Sequence, residues 1–456
     1  MAEKKTIAEM EQKISDSEAR NRLISLFDED SFVELDKFVS SKGETVGVIT
    51  GYGQVDGTTV YAFAQDMSVK SGAVCKASAA KIKKVYELAL KNGSPVAAIY
   101  DSNGADVSEG IELLAAYGEI ADASAKLSGV VPQVAIVAGV CAGTTAMLAC
   151  MADYVIMTEK SELFMTAPSV AEDKAENAGT VENAAKSGVA AIVAKDGAEA
   201  VAAAKKLLAI LPQNNLELAG NDYYEENSAD VTADLKGGDM AKALADADSV
   251  IELYKDFGTS AYVALGSINW RTVGFVAANG KLTSADSAKI ARFVSTCDAF
   301  SIPVVTIADT EGFVPSAAAE LAGSIRDAAK LTQVYASATT AKITLITGKA
   351  YAGAYVALAS ASDFTLAFED AVIAPCAPTA AAIMLHSDEI DSKEKLAELA
   401  AEYEANDASP FNAAAYGYVD RVITADEAKA AITSAMDLLS SKRVAAPARK
   451  HINFVY

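Results

Sequence analysis

Residues Gly139–Ala146 read GVCAGTTA, and they follow the apolar run VPQVAIVA of Val131–Ala138. A short apolar run bounded by turn formers reads as a buried strand. The turn after it holds no carboxylate, no histidine and no basic residue. Such a bare turn either packs a helix tightly on a sheet or presents its own peptide groups to a ligand. Strand, glycine turn and helix in that order form the repeating step of an α/β sheet. Taken as one block, Val130–Ala152 is apolar enough for a membrane span. Pro132, Gln133 and the glycine turn at Gly139–Gly143 cut it in two, so we expect a buried strand and then a buried helix.

The same step recurs further along the chain. SFVELDK begins at Ser31 and SVIELYK at Ser249; TTVYAFAQD begins at Thr58 and RTVGFVAAN at Arg271. SPVAAIYDSNG and IPVVTIADTEG match Pro95 with Pro303, Asp101 with Asp309 and Gly104 with Gly312. Gly139 then matches Gly348, Gly143 matches Gly353, Asp153 matches Asp363, and Ala167-Pro168 matches Ala377-Pro378. SGVAAIVA around Gly188 echoes YGYVDRVI around Gly417. Ordered matches at slowly drifting spacing mark an internal duplication. We expect two α/β domains, 1–225 and 226–456, joined through the polar stretch Gln213–Asp239. Each has a strand pair, a helix (Ala79–Lys91 or Ser287–Phe300) and an apolar strand (Val96–Tyr100 or Val304–Ala308). A glycine turn, a further helix, another apolar strand and a second glycine turn follow.

Composition narrows the function. The 456 residues are 51% hydrophobic with a net charge of −22, which gives a folded chain without the basic footprint of a nucleic-acid binder. Cys75, Cys141, Cys150, Cys297 and Cys376 include no C-x-x-C pair. An odd count without a signal-peptide pattern predicts a reducing cytoplasm. Only His386 and His451 are available for histidine chemistry, and a surface role is expected for both. No metal site is expected. The opening MAEKKTIAEMEQKISDSEARNRLISLF reads as one amphipathic helix.

Each domain therefore carries two glycine turns at strand ends: DSNGAD with GVCAGTTA, then DTEGFV with GKAYAGAY. Ligands of α/β folds bind beyond the C-terminal ends of strands. Free N–H groups there could form an oxyanion hole. The candidate binding residues in these turns are Asn103, Gly104 and Ala105, then Gly312, Phe313 and Tyr351.

SFVELD, GYGQVDGTTVYAFAQD, KIKKVYELAL, AYGEI, SGVVPQVAIVAGVCAGTTA, ARFVSTCDAFSIPVVTIADTEGFVPS, IRDAAKL, ITLITGKAYAGAY and YGYVDRVI span nearly the whole chain in order. Together they resemble the carboxyltransferase subunits of biotin-dependent acyl-CoA carboxylases, and equally the α subunits of biotin-dependent acyl-CoA decarboxylases. The resemblance implies two tandem crotonase-like domains, the first on the acyl-CoA side and the second on the biotin side. It implies an active site between the first domain of one subunit and the second domain of its dimer partner. It also implies that the N–H groups of Gly143 and Thr144 hold the enolate oxygen of the acyl thioester. Those of Gly353 and Ala354 hold the ureido oxygen of biotin, and Val356 lines the acyl pocket. The implied partners are a biotin carrier protein, a biotin carboxylase subunit or a membrane decarboxylase subunit, and further copies of the chain in a dimer or a trimer of dimers. The implied setting is the cytoplasm, with attachment to a membrane complex in the decarboxylase case.

The chain departs from that family where it has Thr144 in place of a second glycine, Asp106 in place of an arginine and Asn183 in place of a histidine. The segment TAAAIMLHSDEIDSKEK after the second Ala-Pro also differs. Two other functions remain open on the residues alone. A crotonase-type hydratase or isomerase needs glutamates for proton transfer, but Ala146, Met147 and Ser169 stand at the expected places. A non-catalytic scaffold would retain the fold and tolerate the departures.

Overall fold

The computed structural model describes residues 6–445, 447, 448 and 453, apart from 12, 13, 15, 42, 174–176, 219, 221–224 and 226. His451 lies outside the described residues. The chain divides into two compact units, Met1–Glu217 and Leu218–Tyr456. The first contains an eight-stranded sheet in the order Val33–Leu35, Val48–Val55, Thr58–Gln65, Val96–Ser102, Gln133–Ala142, Tyr154–Thr158 and Ile192–Ala194. Glu162–Phe164 joins beside the end of Gln133–Ala142. The first three strands are antiparallel and the rest run parallel.

The second unit repeats this order with Ile251–Leu253, Ala261–Ile268, Arg271–Leu282, Val304–Phe313, Lys342–Tyr351, Phe364–Phe368 and Arg421–Ile423. Val372–Ala374 takes the side position. Val33 and Ile251, Thr58 and Arg271, and Val96 and Val304 are corresponding strand starts, spaced as in the sequence repeat. The duplication and the α/β class are therefore features of the fold.

Local sequence explains the helices. Lys76–Asn92 starts at a capping box in which Cys75 accepts from the Ser78 N–H, and it stops at Gly93 in the left-handed region (φ 65°). Ser284–Ala299 starts at the matching box of Thr283 and Asp286. Both begin before the helices expected at Ala79 and Ser287, because the caps lie ahead of the apolar periodicity. Ile82, Val85, Tyr86 and Ala89 form the buried face of the first helix. Phe63 meets Tyr86 and Tyr100 edge-on at 5.9 and 5.6 Å, which ties that helix to two strands.

The N-terminal expectation of one helix is corrected. Helices Ile7–Glu11 and Glu18–Leu26 are separate, and Ser17 caps the second by accepting from the Arg20 N–H at 3.3 Å. A serine side chain that satisfies a free N–H competes with helix continuation at that point. The strand-then-helix order of Val130–Ala152 is as expected, but the turn is shorter than Gly139–Gly143: strand Gln133–Ala142 runs through Gly139, and only Gly143 separates it from helix Thr144–Ala149. Among the described residues no helix is long and apolar enough to cross a membrane.

Two matched glycines carry a structural constraint. A Cβ on Gly139 would overlap the Asp101 carboxylate, and a Cβ on Gly348 would overlap that of Asp309. Asp101 accepts from the Val140 N–H at 3.3 Å and pairs with Arg22 at 3.1 Å. Asp309 accepts from the Lys349 N–H at 2.9 Å and pairs with Lys236 at 2.9 Å. Gly139→Ala and Gly348→Ala are each expected to cost about 1–3 kcal/mol, the usual range for forced overpacking. Urea denaturation measures it, and unchanged midpoints would show that the carboxylates move aside freely.

Candidate functional site

In each unit the two bare turns are brought side by side by adjacent parallel strands. In the first, Ser102 pairs with Cys141 at the strand ends, and Gly104 abuts the next turn. A Cβ there would stand 3.2 Å from the Ala142 carbonyl oxygen. The Ser102 hydroxyl accepts from the Gly104 N–H at 3.0 Å, and the Gly104 carbonyl accepts from Val74 at 2.8 Å. Asn103 and Ala105 are exposed on either side of the buried Gly104.

The second unit copies the arrangement. Thr310 pairs with Ala350, and its hydroxyl accepts from the Gly312 N–H at 3.2 Å. Phe313 is half-buried, with its ring edge 3.4 Å from where a Gly353 Cβ would be. The Tyr351 side chain is buried against Ala374 and Ala408.

The register corrects one match made from glycines alone. Strand Gln133–Ala142 ends against Phe164, and strand Lys342–Tyr351 ends against Ala374. Gly139 and Gly348 hold the same place, so the partner of Gly143 is Ala352 and the partner of Thr144 is Gly353. The backbone agrees: Gly143 has φ 65° and Ala352 has φ 48°. Few non-glycine residues take this conformation, which costs an alanine about 1–2 kcal/mol. The equivalence could not be read from the residues, because the second unit keeps the left-handed bend without keeping the glycine.

Gly143 also has a partner of its own. Its N–H donates to the Phe164 carbonyl at 2.8 Å. Thr144 is exposed and opens the helix Thr144–Ala149, where the first N–H groups have no acceptor within the helix. Thr145 is buried, and its hydroxyl meets the Tyr117 hydroxyl at 2.9 Å, which fixes the turn from below. Thr145 and the two aspartates behind the turns were missed from the sequence. The repeated Asp101 and Asp309 were the signal that could have found them.

The departures have local explanations. The Asp106 carboxylate accepts from the Ser108 N–H at 3.1 Å and caps the short turn Val107–Glu109. Asn183 sits in the helix Val181–Lys186, and its N–H donates to the Thr180 hydroxyl at 3.3 Å. The altered segment forms the helix Pro378–His386, at whose end His386 pairs with Glu389 at 2.9 Å. Burial works to raise Asp309, but Lys236 and the Lys349 N–H outweigh it and hold the carboxyl below its usual range.

Beside the second-unit turn is a cavity of about 410 Å³, which Val356 and Ala352 help to line. Val356 is half exposed there.

These paired turns on a duplicated sheet place the chain in a known class. Residues 15–454 match the carboxyl transferase domain, and the chain belongs to that family. It is 35% identical to the methylmalonyl-CoA decarboxylase subunit alpha of Veillonella parvula, over 95% of this chain and 92% of that one. It is 36% identical to the methylmalonyl-CoA carboxyltransferase 12S subunit of Propionibacterium freudenreichii subsp. shermanii, over 96% and 91%. The crystal structure of a transcarboxylase 12S hexamer with hydrolysed methylmalonyl-coenzyme A superposes with a TM-score of 0.90 at 35% identity. That match covers 99% of this chain and 95% of the other. Both units thus have the crotonase-like fold, and the protein is a carboxyltransferase.

Proposed function

We propose that the protein moves a carboxyl group between an acyl-CoA of the malonyl, methylmalonyl or glutaconyl type and biotin on a carrier protein. The observation that carries this reading is the bare, exposed helix start at Thr144 in one unit and its counterpart at Gly353 in the other. Peptide donors of this kind suit a reaction in which negative charge develops on carbonyl oxygens.

In the first unit the Thr144 N–H holds the thioester oxygen as it becomes an enolate. The Gly143 N–H was assigned there by resemblance, but with Phe164 as its acceptor it acts as a brace for the turn. Asn103, Gly104 and Ala105 form the neighbouring wall. In the second unit Gly353 and Ala354 offer their N–H groups to the ureido oxygen of biotin, with Gly312 and Phe313 alongside. Gly353 lacks a side chain, so its peptide is open except at the Phe313 ring edge. Biotin, when present, supplies a nitrogen that carries or accepts the carboxyl group. The chain's residues hold that ring and lower the cost of charge on its oxygen.

The partners on this reading are the biotin carrier protein and either a biotin carboxylase subunit or a membrane decarboxylase subunit. A carboxyl-transfer assay with free biotin and malonyl-, methylmalonyl- and glutaconyl-CoA tests the function. Transfer with none of them, by a folded protein, would favour a scaffold. The chain is expected to work as a dimer or a trimer of dimers. Light scattering checks this, and a fully active monomer would contradict it.

A further inference from the structure

Both sheets carry the same irregularity, and in both it lies just ahead of the turn that opens the short helix. In the first sheet Tyr100 pairs with Val137 but Ser102 pairs with Cys141, so Asp101 alone faces Ala138, Gly139 and Val140. In the second, Ala308 pairs with Ile346 and Thr310 with Ala350, so Asp309 alone faces Thr347, Gly348 and Lys349. A regular parallel ladder would set Ser102 opposite Gly139. At about 3.3 Å per residue it would carry Gly143 and Thr144 roughly 7 Å further past Gly104. The bulge therefore draws each turn back beside its neighbour.

A bulge takes a strand N–H out of the ladder, and that N–H needs another acceptor. In both sheets it is one oxygen of the facing aspartate: Asp101 accepts from Val140 at 3.3 Å and Asp309 from Lys349 at 2.9 Å. The carboxylate sits where a Cβ on Gly139 or Gly348 would be. Its second oxygen meets a cation from the helix that precedes the sheet. Arg22, inside Glu18–Leu26, stands 3.1 Å from Asp101; Lys236, the cap of Gly237–Leu244, stands 2.9 Å from Asp309. The two cations differ in type and in place along the helix, yet aspartate, glycine and bulge are the same in both sheets.

We propose that Asp101 and Asp309 are positioning residues, each holding open the bulge that sets its turn, and thereby fixing the donors at Thr144 on the acyl side and at Gly353 and Ala354 on the biotin side. The inference rests on the reading that these turns hold the reacting oxygens. Each carboxylate acts through the Val140 or Lys349 peptide and not on substrate. A misplacement of about 1 Å at a reacting group costs on the order of 100-fold, so a loosened bulge is read in kcat.

The test is carboxyl transfer from malonyl-, methylmalonyl- or glutaconyl-CoA to free biotin by the full-length protein and its variants, with peptide-level hydrogen exchange on each. Asp101→Ala and Asp309→Ala are each expected to lower kcat by about 30- to 100-fold and to change KM little, because a displaced donor is missed most in the transition state. Asp101→Asn can still accept from Val140 and should recover most of the loss. Gly139→Ala drives the carboxylate out and should lower kcat as Asp101→Ala does. The double variant Asp101→Ala/Gly139→Ala should lose no more than Asp101→Ala alone, since the added methyl then enters an empty place. Exchange should quicken over residues 138–144 and stay slow over residues 133–137. Normal kcat in folded Asp101→Ala and Asp309→Ala proteins would overturn the proposal. So would losses that multiply in the double variant, or exchange that quickens along the whole strand, which marks general destabilisation. If the unmodified protein transfers no carboxyl group to biotin, the proposed function fails and exchange alone decides. Faster exchange confined to residues 138–144 in Asp101→Ala would then support the brace, and unchanged exchange there would overturn it.

Discussion

Thr144→Pro is expected to lower carboxyl transfer by roughly a hundredfold or more, the scale seen when one oxyanion donor is removed. Proline deletes the N–H and adds no charge. Thr144 is the first residue of its helix, the position at which proline is best tolerated. Its side chain is exposed, so the ring displaces no core atoms. The Gly143 N–H cannot substitute, because it already donates to the Phe164 carbonyl at 2.8 Å. Thr144→Ser and Thr144→Gly keep the N–H and should retain most of the activity. Circular dichroism and oligomer size establish that the proline variant is folded. Near-normal turnover in a folded Thr144→Pro protein would return this turn to a packing role, and the scaffold reading would then gain most.

The contrast between Thr144 and Gly143 shows what was legible in the residues. Apolar runs and repeated Pro, Asp and Gly positions located both sheets, because buried parallel strands need continuous apolar residues and their ends need turns. Gly139 and Gly348 stood out for a good reason, since an aspartate carboxylate fills the place of each missing side chain. The fine register of the second turn was not legible. A glycine-to-glycine match placed Gly353 opposite Gly143, whereas the backbone places Ala352 there. Nothing in an alanine announces a left-handed φ. The partner of Gly143 was hidden likewise, because Phe164 contributes only its carbonyl oxygen.

A second large effect is expected with pH, through two lysines that the duplication has placed alike. Lys81 donates to the Val48 carbonyl at 2.7 Å, and Lys289 donates to the Ala261 carbonyl at 2.7 Å. Both are almost wholly buried, at 4% and 3% exposure. Burial lowers each ammonium to about 8, against the partial opposition of Glu34 and Asp36 for Lys81 and of Asp286 and Glu252 for Lys289. In the unfolded chain both stay protonated until about 10.4. Between these values the unfolded state binds more protons, so the free energy of unfolding rises with pH. Below pH 8 both states are charged and the full cost of burying the ammonium remains. From pH 7 to 9.5 the gain is about 2 kcal/mol for each lysine. Lys342, lowered by burial and by Lys442, acts in the same direction. The window closes near pH 10, where tyrosines such as Tyr86, raised to about 12 by burial, begin to ionise only in the unfolded chain. Guanidinium midpoints at pH 7, 8, 9 and 9.5 measure the slope. Lys81→Met and Lys289→Met should each flatten it while lowering stability at pH 9.5, because a strand carbonyl loses its donor. Midpoints that stay level or fall from pH 7 to 9.5 in the unmodified protein would mean that the buried ammonium groups are as well stabilised as in water.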